Sequence, residues 1–510
     1  MKKIFPEILR NKYFIYVFVF IITFVSRILF MEKYFFDGDS VSFAFGSLSY
    51  SLQNTRPHLP GYYLHVQIIS LVNYFIQNLN LTMILISTVY SSLSAVIIFR
   101  LLKKWFENET VILIAGLIIF NPMVWYYGST SEIYSFDLFF GAFLISLLLN
   151  PKTLLYSPFV FVLGFGIRQS SAVLIFPVYV FLWLQNYKQK KINLLQFVLS
   201  HAVSLIVMLA WLIPMIHSAG GLQEYLSLYK KNSPFPKINL AQNILQFTSY
   251  SLFVFTPLIM IIAVSKKINT IYRVIKTFDR KLLFVFLLWI IPSMLLFIFV
   301  HYSKGYFLLI IIPLYSFVGI LINKKIIKPR LITFVIVLEI LFFVLVPYKM
   351  PSHESLIKQN LRSSNPITTW LDRTLSSYLM SASRIKYQDN VIEELSLLVK
   401  ENNESIIFLD PNIYLFARGL QILFPEKTFV TMDFYQQNGF IEYNGLNIEK
   451  KHGFDKRLIN SILILPNEIF AQRKNLFISE INHSKNFSLI KVDEKLSINL
   501  FRYYQNFYLR

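Results

Sequence analysis

Residues 36–63 concentrate the side chains best suited to chemistry: Asp37 and Asp39, then Arg56 and His58. They follow directly on the first long apolar run, where a membrane boundary would lie. Charge is costly in or beside hydrocarbon, so ionisable groups gathered there are functional candidates. A carboxylate can take a proton from a hydroxyl or orient it for attack. An arginine can grip a phosphate bidentately, and a histidine can donate to a phosphate oxygen. Together they suit a soluble group meeting a lipid-borne one. The same residues also suit structural duties: Asp37-Gly38 as a turn, Asp39 as a helix cap, Arg56 as a headgroup anchor, His58 as a loop hydrogen-bonder.

The elements that must position these groups are predominantly apolar. Of the 510 residues, 55% are hydrophobic and only 15% charged, whereas a soluble protein carries about 25% charged residues. Apolar runs fall at 13–31, 81–101, 111–127, 133–149, 154–167, 170–186, 192–216, 244–264, 282–300, 307–322 and 331–348. Most approach the roughly 17–25 residues that cross a bilayer core. The expected fold is therefore a polytopic α-helical membrane protein with about eleven transmembrane helices. The segment 154–186 would cross as two short helices or enter as a re-entrant pair, its bend marked by Gly164, Gly166 and Arg168. Residues 61–78 mix apolar positions with His65, Gln67, Ser70 and Asn73, which predicts an amphipathic helix along the outer surface.

The formal net charge of +21 raises nucleic acid as a partner, but the distribution excludes it. Lys and Arg cluster in short loops, as at Arg100, Lys103 and Lys104, at Lys188, Lys190 and Lys191, and at Lys324, Lys325, Lys328 and Arg330. Such loops mark the cytoplasmic side. An odd number of spans then puts the N-terminus in the cytoplasm and the C-terminus outside, across a bacterial inner or plasma membrane. Arg27, Met31, Glu32 and Lys33 stand where a cleavage site would need small residues, so the first span is expected to remain. The absence of cysteine excludes disulfide and thiolate chemistry.

Two domains are expected: 1–349, with an outer loop and amphipathic helix at 32–78, and a small α/β domain at 350–510 on the outer side. In the latter, apolar runs shorten to strand length at 405–409, 428–432, 461–465, 488–492 and 497–501. It has no glycine-rich phosphate loop or metal-ligand cluster, and no catalytic role is assigned to it. The remaining polar candidates also fall in outer segments. Glu132 and Asp137 open a span, Glu132 to orient an acceptor and Asp137 as a buried partner. Arg168 needs a carboxylate or phosphate, met by pairing with Asp137 or Glu132 or by substrate. His301 and Lys304 share a short loop in which a lysine would neutralise a lipid phosphate. Glu339, within the last span, reads as a packing residue.

This arrangement resembles the GT-C glycosyltransferases, the integral-membrane enzymes that use polyprenyl-phosphate sugars, and especially the protein O-mannosyltransferase-like and aminoarabinose-transferase-like members (glycosyltransferase family 39-like). The family places Asp-Glu-x-x-aromatic-Ala in its first outer loop; Asp39-Ser40-Val41-Ser42-Phe43-Ala44 matches in spacing, with Ser40 in place of the second acid. Arg56-Pro57-His58-Leu59-Pro60-Gly61-Tyr62-Tyr63 resembles the proline-rich entry to the surface helix. Ser131-Glu132-Ile133-Tyr134-Ser135 resembles the second acidic site, Gly166-Ile167-Arg168-Gln169-Ser170 a further segment leading to Pro177, and His301 through Pro313 the late basic loop.

The resemblance implies an inverting glycosyltransferase that moves a sugar from a polyprenyl-phosphate donor to an acceptor hydroxyl of a lipid, glycan or protein. Asp39 would be the catalytic base, with Glu132 as the second acid. Asp37, Arg56, His58, Arg168, His301 and Lys304 would bind substrate, Lys304 holding the lipid phosphate. No cofactor is called for. A divalent metal on Asp37, Asp39 and Glu132 is left open, although the dense acid cluster that would favour one is missing. A lipid or polysaccharide transporter is the alternative, but it would place pathway residues on both sides and show repeat symmetry. A non-catalytic scaffold is suggested only by Ser40.

Overall fold

A computed structural model describes residues 12–35, 37–232, 279–299, 304–348, 379–410, 416–432, 439–452, 461–472 and 480–492, with isolated positions at 240–255, 413 and 459. The chain forms two compact units. One gathers the described parts of Met1–Glu32, Leu59–Pro347 and Tyr378–Ile385; the other gathers those of Lys33–His58, Tyr348–Ser377 and Lys386–Arg510.

The first unit is helical. Its described helices are α1 (Lys12–Ile28), α3 (Tyr63–Ile76), α4 (Leu79–Leu102), α5 (Asn108–Ile119), α6 (Pro122–Ser129), α7 (Ser135–Leu148), α8 (Ser157–Ile167), α9 (Gln169–Lys188), α10 (Leu194–His217), α11 (Leu222–Asn232), α12 (Arg280–Phe299), α13 (Phe307–Asn323) and α14 (Pro329–Leu345). Of these, α4, α9, α10 and α12 are long and apolar enough to cross a bilayer by themselves. Apolar side chains face outward as well as inward. Helix α10 buries Ser204, Trp211 and Met215 but exposes Val198, Leu199, Ile206 and Ile213. Apolar exposure on that scale belongs to a surface met by lipid rather than water, and the fold is that of a polytopic membrane protein. The apolar run 244–264 lies almost wholly outside the described residues.

Helix α4 packs against α1, α3, α6 and α7. It buries Thr82, Ser87, Thr88, Ser91, Ser92 and Ser94, small residues that let helices approach closely where lipid supplies no hydrophobic drive between them. The run 111–127 is one expected span but two helices, α5 and α6, bent by 58°. The break is specific. Asn121 accepts from the Met123 amide at 3.1 Å, Pro122 occupies the first helical position, and buried Arg27 donates to the freed carbonyl of Ile119. A helix broken at membrane depth survives only when such partners satisfy its backbone. At the other ambiguous place, α8 and α9 meet at Arg168, whose extended backbone (φ −149°, ψ 101°) ends one helix and precedes the next.

The second unit contains α2 (Gly38–Leu48) and, further along the chain, the end of α15 (Ala382–Lys400), β1 (Ile406–Leu409), α16 (Ala417–Leu423), β2 (Thr428–Met432), β3 (Gly439–Asn444), β4 (Asn447–His452), β5 (Ile462–Pro466), α17 (Asn467–Gln472), β6 (Glu480–His483) and β7 (Phe487–Lys491). The strands form one mixed sheet in the order β4-β3-β2-β1-β5-β7-β6, with β1 parallel to both β2 and β5 and the other pairs antiparallel. Val391, Leu395 and Leu398, spaced along one helix face, join Ile407, Leu409, Phe429, Ile462, Ile464 and Leu489 in its core. The hairpin β3–β4 and strand β6 add to the runs expected from sequence, and 497–501 lies outside the described residues. Helix α2 packs on α16, so residues 33–58 share a compact unit with the sheet.

Candidate functional site

In the second unit, Asp37 caps α2: its carboxylate accepts from the Asp39 amide at 2.8 Å. Asp39 lies in the first helical turn with its side chain 54% exposed, and its Oδ1 is 3.7 Å from His58 Nε2. Ser42, one turn further along α2, ties down the returning loop. Its hydroxyl accepts from the His58 amide at 2.9 Å and donates to the Thr55 carbonyl at 3.3 Å. The His58 ring lies 5.4 Å from that of Phe43. The turn between is closed by paired backbone bonds between Ser51 and Arg56, and the Arg56–Pro57 bond is cis. Three of the sequence candidates thus converge: Asp37 orients the turn carrying Asp39, and His58 faces Asp39. Arg56 follows them in the same loop but is only 7% exposed, its guanidinium Nε buried without a hydrogen bond. Burial lowers its pKa from the usual arginine value.

Upstream, Asp389 of α15 accepts from the amides of Lys33 at 2.7 Å and Tyr34 at 3.2 Å, fixing the chain that leads to α2. Burial raises the pKa of this carboxyl to about 6, although those two amides and the Lys33 charge oppose the shift. The sequence marks neither Asp389 nor Ser42, because each acts through backbone groups that no motif reveals.

In the first unit, Arg168 and Asp137 form a buried ion pair, Nε to Oδ1 at 3.2 Å, their side chains 3% and 0% exposed. Ser171 donates to the same carboxylate oxygen. The guanidinium also lies over Tyr134, 4.3 Å from the ring centre, and 5.3 Å from that of Tyr306, which adds cation–π attraction. Gly305 is required here: a Cβ would run into the Tyr134 ring. Glu132 is half-buried, and its backbone carbonyl accepts from Ser87 at 2.9 Å. His301 lies outside the described residues, as does the side chain of Lys304, whose backbone opens a short 3₁₀ turn. Among the described residues no three His, Asp or Glu side chains come together as a metal site.

Elsewhere in this unit, Asn121 donates to Glu339 Oε1 and to the Tyr315 hydroxyl, both at 3.3 Å, and to the Val254 carbonyl at 3.1 Å. This buried network braces the α5–α6 break.

No protein-family model matches the chain, and no curated protein sequence does. Solved structures do match. ArnT from Cupriavidus metallidurans bound to undecaprenyl phosphate aligns with a TM-score of 0.57 over 94% of this chain and 98% of its own, at 9% identity. Its apo state gives 0.55 over 93% and 97%, at 10% identity. The chain shares the fold of these two ArnT structures. At such identity the likeness is one of fold, and it extends over nearly the whole length of both chains.

Proposed function

We propose that this protein is an inverting, polyprenyl-phosphate-dependent glycosyltransferase acting at the outer membrane face, with its N-terminus in the cytoplasm. The observation that carries the reading is Asp39. Its carboxylate is exposed, its helical turn is fixed by Asp37, and His58 stands 3.7 Å away. Asp39 removes the proton of an acceptor hydroxyl as that oxygen attacks the anomeric carbon. The new carbon–oxygen bond forms as the bond to the phosphate oxygen breaks. The electron pair leaves with the phosphate and the proton stays on Asp39. His58 holds the Asp39 carboxylate in place, and Arg56 meets the charge that develops on the leaving phosphate. In the first unit, Arg168 holds the rings of Tyr134 and Tyr306 in place. The fold supports this reading, since an ArnT of the same fold is found with undecaprenyl phosphate.

The test is sugar transfer by the purified full-length protein supplied with a panel of polyprenyl-phosphate sugars, wild type against Asp39→Asn. Loss of a catalytic base should slow transfer by about 10²- to 10⁴-fold while donor binding persists. Undiminished turnover in Asp39→Asn would overturn the assignment of the base. Failure of the wild type to bind any donor would move the reading to transport.

A further inference from the structure

Among the described residues, the second unit holds two arginines, Arg56 buried and Arg418 half-buried, with no anionic partner. Arg56 is 7% exposed, and its Nε has no hydrogen-bond partner; the Nε of Arg418, on α16, is likewise buried and unbonded. Neither arginine makes an ion pair among the described residues. Consecutive residues of α2 seat both. The Arg418 guanidinium lies 5.2 Å from the centre of the Phe45 ring. Next to it, Gly46 is pressed against the Arg56–Pro57 backbone so closely that a Cβ would come within 3.0 Å of Pro57 and 3.3 Å of the Arg56 carbonyl carbon. Burial lowers the Arg418 pKa, Tyr443 raises it, and the Arg56 charge lowers it again. Buried charges are ordinarily paired, and two arginines that lie against neighbouring residues of one helix with no described carboxylate partner make a place for an anion.

We propose that Arg418 and Arg56 form a phosphate-binding pair, with Arg418 supplied by the soluble domain. Both carry planar guanidinium forks suited to phosphate oxygens. Two cations match a phosphate monoester better than a diester, because the monoester carries close to two negative charges. If the donor is a polyprenyl-phosphate sugar, the diester becomes a monoester as the sugar leaves. A pair that prefers the product charge assists the reaction, since it binds more tightly where charge develops. The identity of the anion rests on the transferase reading; the arginine pair itself does not.

The test measures binding of undecaprenyl phosphate and, separately, inorganic phosphate to the full-length protein in nanodiscs. Wild type is compared with Arg56→Gln, Arg418→Gln, the double variant and Arg418→Lys, with thermal melting as the folding control. Each single Gln variant should weaken binding by about 10- to 100-fold, the double should be little worse than either, and Arg418→Lys should recover part of the loss. Unaltered undecaprenyl-phosphate binding in a well-folded Arg418→Gln would overturn the proposal, and transfer by the wild type would then leave the transferase reading standing. Binding of inorganic phosphate through both arginines, with no binding of the lipid, would uphold the pair and overturn the polyprenyl-phosphate donor.

Discussion

The Arg168–Asp137 pair gives the firmest quantitative expectation. Unit charges 3.2 Å apart attract by about 5 kcal/mol at an effective dielectric constant near 20. Both side chains are almost wholly buried, so deleting one strands the other, at a cost of about 3–5 kcal/mol. Arg168→Met and Asp137→Leu should each destabilise the full-length protein by that amount. Arg168→Met/Asp137→Leu together should recover most of it, because no charge is left unpaired. SDS titration from mixed micelles, with circular dichroism as the readout, would supply the double-mutant cycle. The same variants also separate the two duties weighed for Arg168. If it only braces α7 against α9, the double variant regains activity along with stability. If it also serves the donor site, stability returns and transfer does not. Additive losses, with no coupling between the two positions, would refute the reasoning.

Three further outcomes are expected. Asp37→Ala removes the cap of α2 and should cost about 1 kcal/mol, lowering kcat for sugar transfer with the donor Kd unchanged; isothermal titration and initial rates check this. Gly305→Ala should lower the melting temperature in detergent by forcing Tyr134 aside, with an overpacking cost of about 1–3 kcal/mol, and Tyr134→Ala should relieve it. Asp389 titrates near pH 6 when folded, above its ordinary 3.8, so the folded state holds a proton that the unfolded state releases. Its contribution to stability is therefore complete below about pH 4 and is lost as pH rises through about 6. Asp389→Asn should flatten that stretch of the melting-temperature profile.

The helical spans were legible because a chain in hydrocarbon must satisfy its own backbone, which makes long apolar runs nearly synonymous with helices. Their continuity was less so. Hydropathy merges α5 with α6, although Asn121-Pro122 is a cap followed by a first-turn proline, a start signal inside an apolar run. Gly445-Leu446 likewise forms the two-residue turn of the β3–β4 hairpin, with glycine at its first position at φ +53°, but Glu442, Glu449, Lys450 and Lys451 obscure the apolar pattern around it. Asp37, Asp39 and His58 were readable since they lie within one short loop. Arg418 was not, because a lone arginine in a short helix carries no local sign that it will lie over the ring of Phe45, more than three hundred residues earlier in sequence.

The packing of α2 on α16 sets the boundaries for any exchange of parts between relatives of this fold. A graft made by cutting near residue 350 would keep Phe45 and Gly46 from one parent while taking the helix beneath them from the other. Gly419 adds to the constraint, since a Cβ there would come within 3.2 Å of the Phe35 carbonyl. The transplantable piece is discontinuous: residues 33–58 travel with 386–492, and a chimaera that respects that pairing keeps the loop bearing Asp39 on its native support.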